Sequence, residues 1–411
     1  MSIFYSGMTL KVAWRNIWRN KVRSMVVVLA VGIGLWAGIF TAAFAYGISW
    51  QRLRGVINSQ ISHVQIHAPK FTDDYEVNLV ISDTGKLIPL LKKDERVKSV
   101  SGRIVTTGLI AYSTTSSGVI IKGVNPAEEK EVTNIHEKIK EGSYFGESKK
   151  NQIVIGKKLA HKLRTGLKKS VVLKMIDTDG NIVDESYRVT GIYKTNSGKY
   201  DESHVFVKRE ALSHSLGAGG SFHEIALLLN NTKDISAFKK EKQELLPHLS
   251  VESWKDIAPE LDFIDKFMDE YLRVFMAIIL FAMAFGIINT MLMAVLERTR
   301  EIGMLMAIGM NKVRIFFMIM LETIFLTFAG VPLGLLLSIL TIRSLSKTGV
   351  DLSIFAKGLE NFDVETVVYP TVDTAFYPTL IIMVAATAIL SSLYPAYKAL
   401  RLHPASAIRS V

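Results

Sequence analysis

The chain has 411 residues, a mean hydropathy of +0.26 and 49% apolar residues, which is more apolar than an ordinary soluble domain. These values favour a membrane protein that carries a soluble part. The sequence contains no cysteine, which excludes disulfides, thiolate metal or redox sites and a lipid-attachment cysteine. The net charge of +11 would suggest a nucleic-acid partner if it were spread over one soluble domain. It is instead concentrated at the borders of apolar segments, so we expect no nucleic acid.

The first 24 residues predict a cytoplasmic amphipathic helix at the membrane interface. Apolar and basic residues each recur there with helical spacing, and tryptophan suits the headgroup region. The alternative is a solvated basic arm. The apolar residues are Leu10, Ala13, Trp14, Ile17 and Trp18, and the basic residues are Lys11, Arg15 and Arg19.

Four apolar segments are long enough to cross the ~30 Å hydrocarbon core as helices. They run over residues 25–48, 274–296, 315–342 and 375–396. A signal peptide is the alternative for the first, but its apolar core is too long and no small-residue cleavage pattern follows it. A buried helix of a soluble core is the alternative for the fourth.

The distribution of lysine and arginine predicts the orientation of these spans. The segments before the first span, between the second and third, and after the fourth together carry a net charge of +10. In contrast, residues 51–270 contain 33 basic and 30 acidic residues, and residues 343–373 sum to −2. Both termini are therefore predicted to be cytoplasmic, with residues 49–270 and the third-to-fourth loop facing outward.

Residues 49–270 are predicted to form a mixed α+β domain inserted between the first and second spans. Short β-rich runs alternate with helical stretches, and Asp179-Gly180 between two such runs indicates a tight hairpin. His63 and His67 share one face of a predicted strand, which leaves open a weak metal site or ordinary hydrogen-bonded histidines. Strands are predicted at residues 63–67, 118–122, 152–155, 171–176, 187–193, 205–208 and 225–229, and helices at 86–94, 126–140, 157–164, 236–246 and from 256 into the second span.

Motifs of enzymatic chemistry are missing from the sequence. It contains no nucleophile elbow, no HExxH pair and no phosphate-binding glycine loop. We therefore expect a chain without catalytic activity of its own.

Residues 297–309, between the second and third spans, predict a short helix outside the hydrocarbon. Four charged residues force the second span to emerge there, and two glycines bracket the segment. Asn311 can cap the following helix. An apolar face would be exposed without a partner, although a simple polar turn is the alternative. The charged residues are Glu297, Arg298, Arg300 and Glu301, the glycines Gly303 and Gly309, and the apolar face Ile302, Leu305, Met306 and Ile308.

Three membrane-proximal stretches resemble the signatures of FtsX/LolC/MacB-type permeases of ABC transporters. They are residues 10–34, residues 297–322 (ERTREIGMLMAIGMNKVRIFFMIMLE) and residues 394–409 (YPAYKALRLHPASAIR). Within the outward domain, residues 123–144, 153–163 and 189–207 resemble the periplasmic domain of the lipoprotein-releasing (LolC/LolE) and MacB branches. The resemblance is nearest to the lipoprotein-releasing branch and spans essentially the whole chain.

This resemblance implies an α-helical membrane protein with four transmembrane helices and a large mixed α+β extracytoplasmic domain between helices 1 and 2. Residues 271–411 would form the FtsX-like permease domain, with residues 297–309 as the coupling helix. The residues to which the resemblance gives the ATPase-coupling role are Glu297, Arg298, Arg300, Glu301, Gly303, Leu305, Ala307 and Gly309.

The resemblance also implies partners and a location. No cofactor is expected in this chain, and because no ATPase is fused before the first span, ATP and Mg²⁺ would be bound by a separate ABC ATPase dimer. A second permease, identical or paralogous, a lipid-linked or amphiphilic cargo and a periplasmic carrier or adaptor complete the expected assembly in the bacterial inner membrane. Release of lipoproteins is the leading function. MacB-type export of peptides, drugs or other amphiphiles and FtsX-type signalling to a cell-wall hydrolase are the alternatives.

Methionine and aromatic residues of the first two spans are candidate cargo contacts because they adapt to variable acyl chains. Close helix packing through small residues such as Gly32, Gly34 and Gly38 is the alternative. Glu322, predicted inside the third span, is expected to form a structural hydrogen bond or ion pair in preference to a cargo contact. The cargo candidates are Phe40, Phe44, Tyr46, Met276, Phe281, Met283 and Phe285.

Residues 196–203 predict a protruding loop that could hand cargo to a soluble carrier. Its candidate contact residues are Lys199, Tyr200 and Asp201. An ordinary hairpin is the alternative.

Overall fold

The computed structural model describes residues 14–15, 19, 21–82, 84–146, 151–361, 364–372 and 376–401. These residues form two compact units. The membrane unit comprises the described residues up to Ile48, Lys266–Asp351 and those from Val367 onward, and the outward unit comprises Ser49–Asp265 and Leu352–Thr366. Most of the predicted interfacial helix at residues 1–24 lies outside the described residues.

The helices are numbered in chain order over the described residues. They are α1 (Lys21–Val56), α2 (Phe71–Asp74), α3 (Thr84–Lys92), α4 (Pro126–Val132), α5 (Lys157–Leu163), α6 (Gly198–Ser203), α7 (Arg209–Leu216), α8 (Ile235–Leu245), α9 (Trp254–Ile257), α10 (Pro259–Glu297), α11 (Thr299–Ala307), α12 (Lys312–Thr348), α13 (Ala356–Asn361) and α14 (Phe376–Leu400).

The strands are numbered in the same way. They are β1 (Val64–His67), β2 (Val97–Tyr112), β3 (Thr115–Val124), β4 (Ile139–Gly142), β5 (Gln152–Gly156), β6 (Ser170–Ile176), β7 (Ile182–Tyr193), β8 (His204–Lys208), β9 (Glu224–Leu229), β10 (Ser250–Ser253), β11 (Val350–Asp351) and β12 (Val367–Val368).

The membrane unit is built on α1, α10, α12 and α14, which in the described part of the chain are the helices long and apolar enough to span a bilayer. This confirms the predicted architecture of four transmembrane helices. All four extend beyond the predicted spans, and two do so furthest: α1 continues past Ile48 to Val56 and into a π-helical turn (Ile57–Ile61), and α10 already begins at Pro259.

Glycines bring α1 and α12 close together. A methyl group added at Gly334 would lie 2.8 Å from the carbonyl oxygen of Gly32, and one added at Gly330 would lie 2.7 Å from Cβ of Val31. Small residues let helix backbones approach closely in a membrane. For Gly32, the structure therefore agrees with the alternative of close helix packing.

The outward unit is organised around strand β2, which belongs to two sheets. Its first part, up to Arg103, pairs with β9, which continues through β1 to β10. From Ile104 onward it pairs with β3 and then β6, and these strands close a barrel in the order β2, β3, β8, β5, β7, β6 within the described residues. The mixed α+β domain predicted from the sequence is therefore confirmed.

Each sheet has its own apolar core. The barrel encloses residues such as Ile104, Ile121 and Ile155, all fully buried. The other sheet packs its inner face against α3 and α8, with Ile66 and Phe238 at the centre. The two cores share strand β2, and a third apolar cluster in the unit includes Tyr193 and Phe206.

The predicted hairpin at Asp179-Gly180 is confirmed, because Ile176 of β6 pairs with Ile182 of β7 and Gly180 has φ +85°. The helix predicted over residues 126–140 is correct only as far as Val132. Thr133 is extended, and residues 135–138 form a 3₁₀ turn that leads into β4.

Candidate functional site

The connection between α10 and α11 contains the charged residues of the predicted coupling segment. Arg298 interrupts the helix at φ −102° and ψ 16°, so that α10 ends at Glu297 and α11 begins at Thr299. The Arg298 guanidinium donates a hydrogen bond to Glu301, one turn into α11, over 3.1 Å. Charged side chains that cannot remain in hydrocarbon explain why the long helix stops here.

The same guanidinium binds Glu322, which belongs to α12. Nη1 of Arg298 lies 3.3 Å from each carboxylate oxygen of Glu322, whose side chain is only 3% exposed. A buried carboxylate is costly unless it is paired and hydrogen-bonded. The expectation of a structural ion pair for Glu322 is therefore confirmed, and its partner is Arg298.

Glu301 connects α11 to the chain before α1. It accepts hydrogen bonds from Arg19 and from Arg298, so that its carboxylate is shared by two cations. Partial burial opposes ionisation of Glu301, but these two hydrogen bonds hold its pKa below the usual range. Arg298, Glu301, Glu322 and Arg19 thus form one ionic network, which we call the elbow network.

α11 has an inner and an outer face. Its inner face places Ile302, which is buried, in a cluster with Ile315 of α12 and Ala396 of α14. On the outer face Met304 is 48% and Ile308 85% exposed. The single apolar face predicted for this segment is therefore wrong: Ile302 packs inside the chain because it faces the ends of α12 and α14, whereas Ile308 faces away.

Gly309 ends α11 in a Schellman motif. The amide of Met310 donates to the carbonyl of Leu305 over 3.0 Å, and the amide of Gly309 donates to Met306 over 3.1 Å, with Gly309 at φ +94°. Asn311 then caps α12 through its side chain, which accepts from the amide of Val313, as the sequence predicts.

The structure places the remaining predicted coupling residues around this helix. Gly303 is buried on the inner face and Leu305 is half-buried. The exposed ones are Glu297, Arg300, Ala307 and Gly309. Their contact with an ATPase stays a prediction, and the exposed members are the ones available for such contact.

The predicted cargo residues are brought together only in part: Tyr46, Met276 and Met283 belong to one apolar cluster of the membrane unit. Met276 is fully buried and fills the space beside Gly38 of α1, so it takes part in helix packing, whereas the half-buried Met283 lies beside Gly34. Phe281 and Phe285 are mostly exposed and form an edge-to-face pair at 4.9 Å. The residues of α1 are all half-buried: Phe40, Phe44 and Tyr46.

The prediction of a protruding carrier-contacting loop at residues 196–203 is wrong for two of its three residues. The segment contains helix α6, where Tyr200 is 5% exposed and Asp201 is fully buried. Asp201 is held inside because its carboxylate accepts hydrogen bonds from the amide and the hydroxyl of Thr195. Lys199 is exposed.

His63, which directly precedes β1, and His67 of β1 are both buried. Nδ1 of His63 accepts from the amide of Leu229 over 3.0 Å, which is the hydrogen-bonded alternative, and Nε2 of His67 lies 3.5 Å from Glu252. Burial lowers the pKa of His63 and favours its neutral form. Among the described residues, no group of three or more metal-ligating side chains comes together.

Sequence reasoning missed a buried ionic cluster in the outward unit. Arg103, 1% exposed, donates to Glu129 of α4 and to Glu224 of β9 at the point where β2 passes from one sheet to the other. The amine of Lys122 is buried nearby and donates to the carbonyl of Gln60 over 3.2 Å. These residues are far apart in sequence, so no spacing pattern indicates them.

The described architecture is that of a multi-pass membrane protein with a large soluble domain inserted between its first two spans and a short ion-paired helix between the next two. Residues 24–245 match the family model of the MacB-like periplasmic core domain, and residues 273–404 match that of the FtsX-like permease C-terminal domain. Together these two matches show that the chain belongs to the FtsX/MacB-type family of ABC transporter permeases, which are transport subunits.

Individual relatives show how far the similarity extends. The uncharacterized ABC transporter permease MJ1507 of Methanocaldococcus jannaschii is 28% identical over 209 residues, which are 49% of this chain and 51% of that protein. The chain thus spans about half the length of that relative. The lipoprotein-releasing system transmembrane protein LolE of Haemophilus influenzae is 22% identical over 372 residues, or 86% of this chain and 87% of LolE.

A solved structure is similar to about half of the chain. The crystal structure of the periplasmic region of MacB from Actinobacillus actinomycetemcomitans matches 53% of this chain and 97% of that region, with a TM-score of 0.34 and 15% identity.

Proposed function

We propose that the chain is the permease subunit of an ABC transporter that releases lipoproteins from the bacterial inner membrane for transfer to the outer membrane. A separate ATPase dimer would bind ATP and Mg²⁺, and a second permease would complete the membrane part. Both termini and α11 would face the cytoplasm, as the charge distribution predicts. In this arrangement the outward unit faces the periplasm.

The observation that carries the proposal is the elbow network around α11. An ATPase that moves this short helix also moves Arg298, which is bonded to Glu322 of α12, and Glu301, which is bonded to Arg19 before α1. The Arg298–Glu322 pair would transmit displacement because separating it in a poorly hydrated site is costly. The Arg19–Glu301 pair is exposed to solvent and contributes less. Movement of α11 would therefore reach α12 above all, and the chain before α1 more weakly.

The outer face of α11 supports a docking role. Ile308 is 85% exposed and makes no contribution to the apolar cluster under this helix. Together with Met304, which is 48% exposed, it gives this segment an uncovered apolar surface of the kind that protein interfaces bury.

Lipoprotein cargo is supported by the alignment with LolE, which extends over 86% of this chain. Methionines and aromatics of α1 and α10 supply an adaptable apolar surface for acyl chains. We propose Phe40, Phe44 and Tyr46 with Met283, Phe281 and Phe285 as that surface, and assign Met276 to helix packing.

MacB-type export of peptides, drugs or other amphiphiles is the second candidate. Its support is the match of residues 24–245 to the MacB-like periplasmic core domain. Such an exporter would use the same elbow network and would differ in its cargo and its periplasmic adaptor. Signalling to a cell-wall hydrolase is less favoured, because a domain of this size exceeds what a signalling loop needs.

The ATPase interface is tested by placing a charge on the outer face of α11. The full-length chain is purified from its own membranes with its bound ATPase, and cargo-stimulated ATP hydrolysis is measured. Ile308→Glu is expected to reduce copurification of the ATPase and the stimulated rate at least about tenfold. Ile354→Glu, at an equally exposed isoleucine of the outward unit, is the matched control. Unchanged binding in Ile308→Glu contradicts the interface.

The cargo is tested by photocrosslinking. A photoreactive residue at position 40 or 283 is expected to trap a lipidated substrate and not its unlipidated variant, and position 182, at the exposed hairpin tip, serves as the control. Equal trapping of both substrates would contradict lipoprotein release as the function. Trapping of unlipidated amphiphiles alone would favour the export alternative.

A further inference from the structure

The segment between α12 and α14 belongs in part to the outward unit. Leu352–Thr366 belong to it, although the residues on either side belong to the membrane unit. The amide of Leu352 donates to the carbonyl of Thr366 over 2.7 Å, which closes the segment into a loop that includes α13. The loop therefore belongs to the outward unit, although the chain on both sides of it belongs to the membrane unit.

Glu365 makes contacts from this loop to three distant parts of the outward unit. Its Oε1 accepts from Nδ2 of Asn196 over 2.9 Å, and its Oε2 accepts from Nε2 of Gln51 over 3.0 Å. Nζ of Lys138 lies 3.9 Å from Oε1. Gln51 belongs to the extension of α1, Asn196 follows β7, and Lys138 precedes β4. One carboxylate thus contacts three separate chain segments.

The side-chain amides of Gln51 and Asn196 each bind one oxygen of the Glu365 carboxylate. Both oxygens are used by side-chain amides, and hydrogen bonds to an ionised acceptor are about twice as strong as neutral ones. Glu365 is about one-third exposed, at 33%, which leaves the contact partly shielded from water.

The neighbouring turn of α1 provides the space for this contact. Gly55 is one turn beyond Gln51 and therefore on the same helix face. A methyl group at Gly55 would lie 3.2 Å from Nδ2 of Asn196, the atom that donates to Glu365. The glycine leaves room for the Asn196 amide.

We propose that Glu365 is a positioning residue that fastens the loop between α12 and α14 to the outward unit, through Gln51, Asn196 and Lys138. The outward unit is then joined to the membrane unit by the ends of this loop as well as by α1 and α10. The loop and the outward unit move together. This proposal concerns the architecture of the chain and does not depend on the identity of the cargo.

The fastening is tested by hydrogen–deuterium exchange on the full-length chain in lipid nanodiscs. Glu365→Ala is expected to raise amide exchange in residues 352–366, including the amide of Leu352, by about tenfold or more. Exchange in β2 and β9 should stay unchanged. Glu244→Ala, at an exposed glutamate of α8, is the matched control and should leave residues 352–366 unchanged.

A charge rearrangement separates fastening from a general loss of structure. Asn196→Asp places a second carboxylate beside Glu365 and should raise exchange in the loop. Adding Glu365→Gln restores one amide and one carboxylate, and should return exchange to within about twofold of the wild type. Unchanged exchange in Glu365→Ala, or the same rise in Glu244→Ala, overturns the proposal, as does a double variant no better than Asn196→Asp alone.

Discussion

Arg298, at the end of α10, binds both carboxylate oxygens of Glu322 in α12 at 3.3 Å. The pair joins the second span to the third at the point where the chain turns into α11. Because Glu322 is almost completely shielded from solvent, a carboxylate at this position is costly unless it is paired. An ion pair therefore links the second and third spans at the turn between them.

Removing either partner should destabilise the membrane unit. Glu322→Gln and Arg298→Met are each expected to lower the free energy of unfolding by about 2–4 kcal/mol, because the first removes the buried negative charge that Arg298 binds and the second removes the cation beside a buried carboxylate. The double variant should lose less than the sum, with a coupling of at least about 1 kcal/mol. Thermal unfolding in detergent measures this cycle. Arg273→Met, at the exposed Arg273–Glu270 pair, should change stability by about 0.5 kcal/mol or less.

The contact between α1 and α12 predicts a difference between two glycines. Gly334→Ala should destabilise the protein by about 1–3 kcal/mol, because the methyl group would lie 2.8 Å from the carbonyl oxygen of Gly32. Gly286→Ala in α10 has no atom within 4 Å and should be neutral or slightly stabilising. The midpoints of thermal unfolding of the two variants provide the measurement. A loss in Gly286→Ala equal to that in Gly334→Ala would contradict close packing as the cause.

Gly309 should be required for the end of α11. Its φ of +94° is unfavourable for a side chain, so Gly309→Ala is expected to cost about 1 kcal/mol and to loosen the Schellman motif. The readout is amide exchange at Met310, whose hydrogen bond to Leu305 depends on the motif. Gly85→Ala, at an uncrowded glycine of α3, is the control and should leave that amide unchanged.

Lys122 should make the outward unit sensitive to alkaline pH. Burial lowers the pKa of Lys122 from 10.5 to about 8, so above pH 8 the folded chain loses a proton that the unfolded chain keeps. Because the unfolded state then binds more protons, stability should rise with pH between about 8 and 10, by up to about 1.4 kcal/mol per unit.

Comparison with Lys122→Met isolates this effect from the titration of other groups. The variant should be more stable than the wild type at pH 7, and the difference should shrink as the pH rises to 9.5. Chemical unfolding of the full-length chain at several pH values provides the measurement. A constant difference across this range would show that Lys122 does not carry the pH dependence.

The spans and the elements around α11 could be predicted because their causes are local. Apolar length places the four helices, the charges at residues 297–301 end α10, and Asn311 caps α12 through an amide two residues away. Glu322 was expected to be paired because an isolated carboxylate in a span is too costly. Its partner could not be named, since the choice depends on how α10 and α12 pack.

Strand β2 was missed for a physical reason. Apolar and polar residues do not alternate regularly along β2. The strand changes sheets after Arg103 and is buried on both faces around that point. Its serines, threonines and arginine then resemble a polar connection. The position of Asp201 was predicted wrongly for a different reason. A charged residue in a polar stretch suggests an exposed loop, but Asp201 is buried because its carboxylate accepts hydrogen bonds from Thr195.

The pairing of β10 with β1 has a consequence for how the protein is made. Val64 of β1 lies opposite Ser253 of β10, at the two ends of the inserted segment, and β2 must find β9 across more than a hundred residues. Such non-local pairings form late in folding. The outward sheet therefore cannot close until residues 250–253, which directly precede the start of α10 at Pro259, are available to pair with β1.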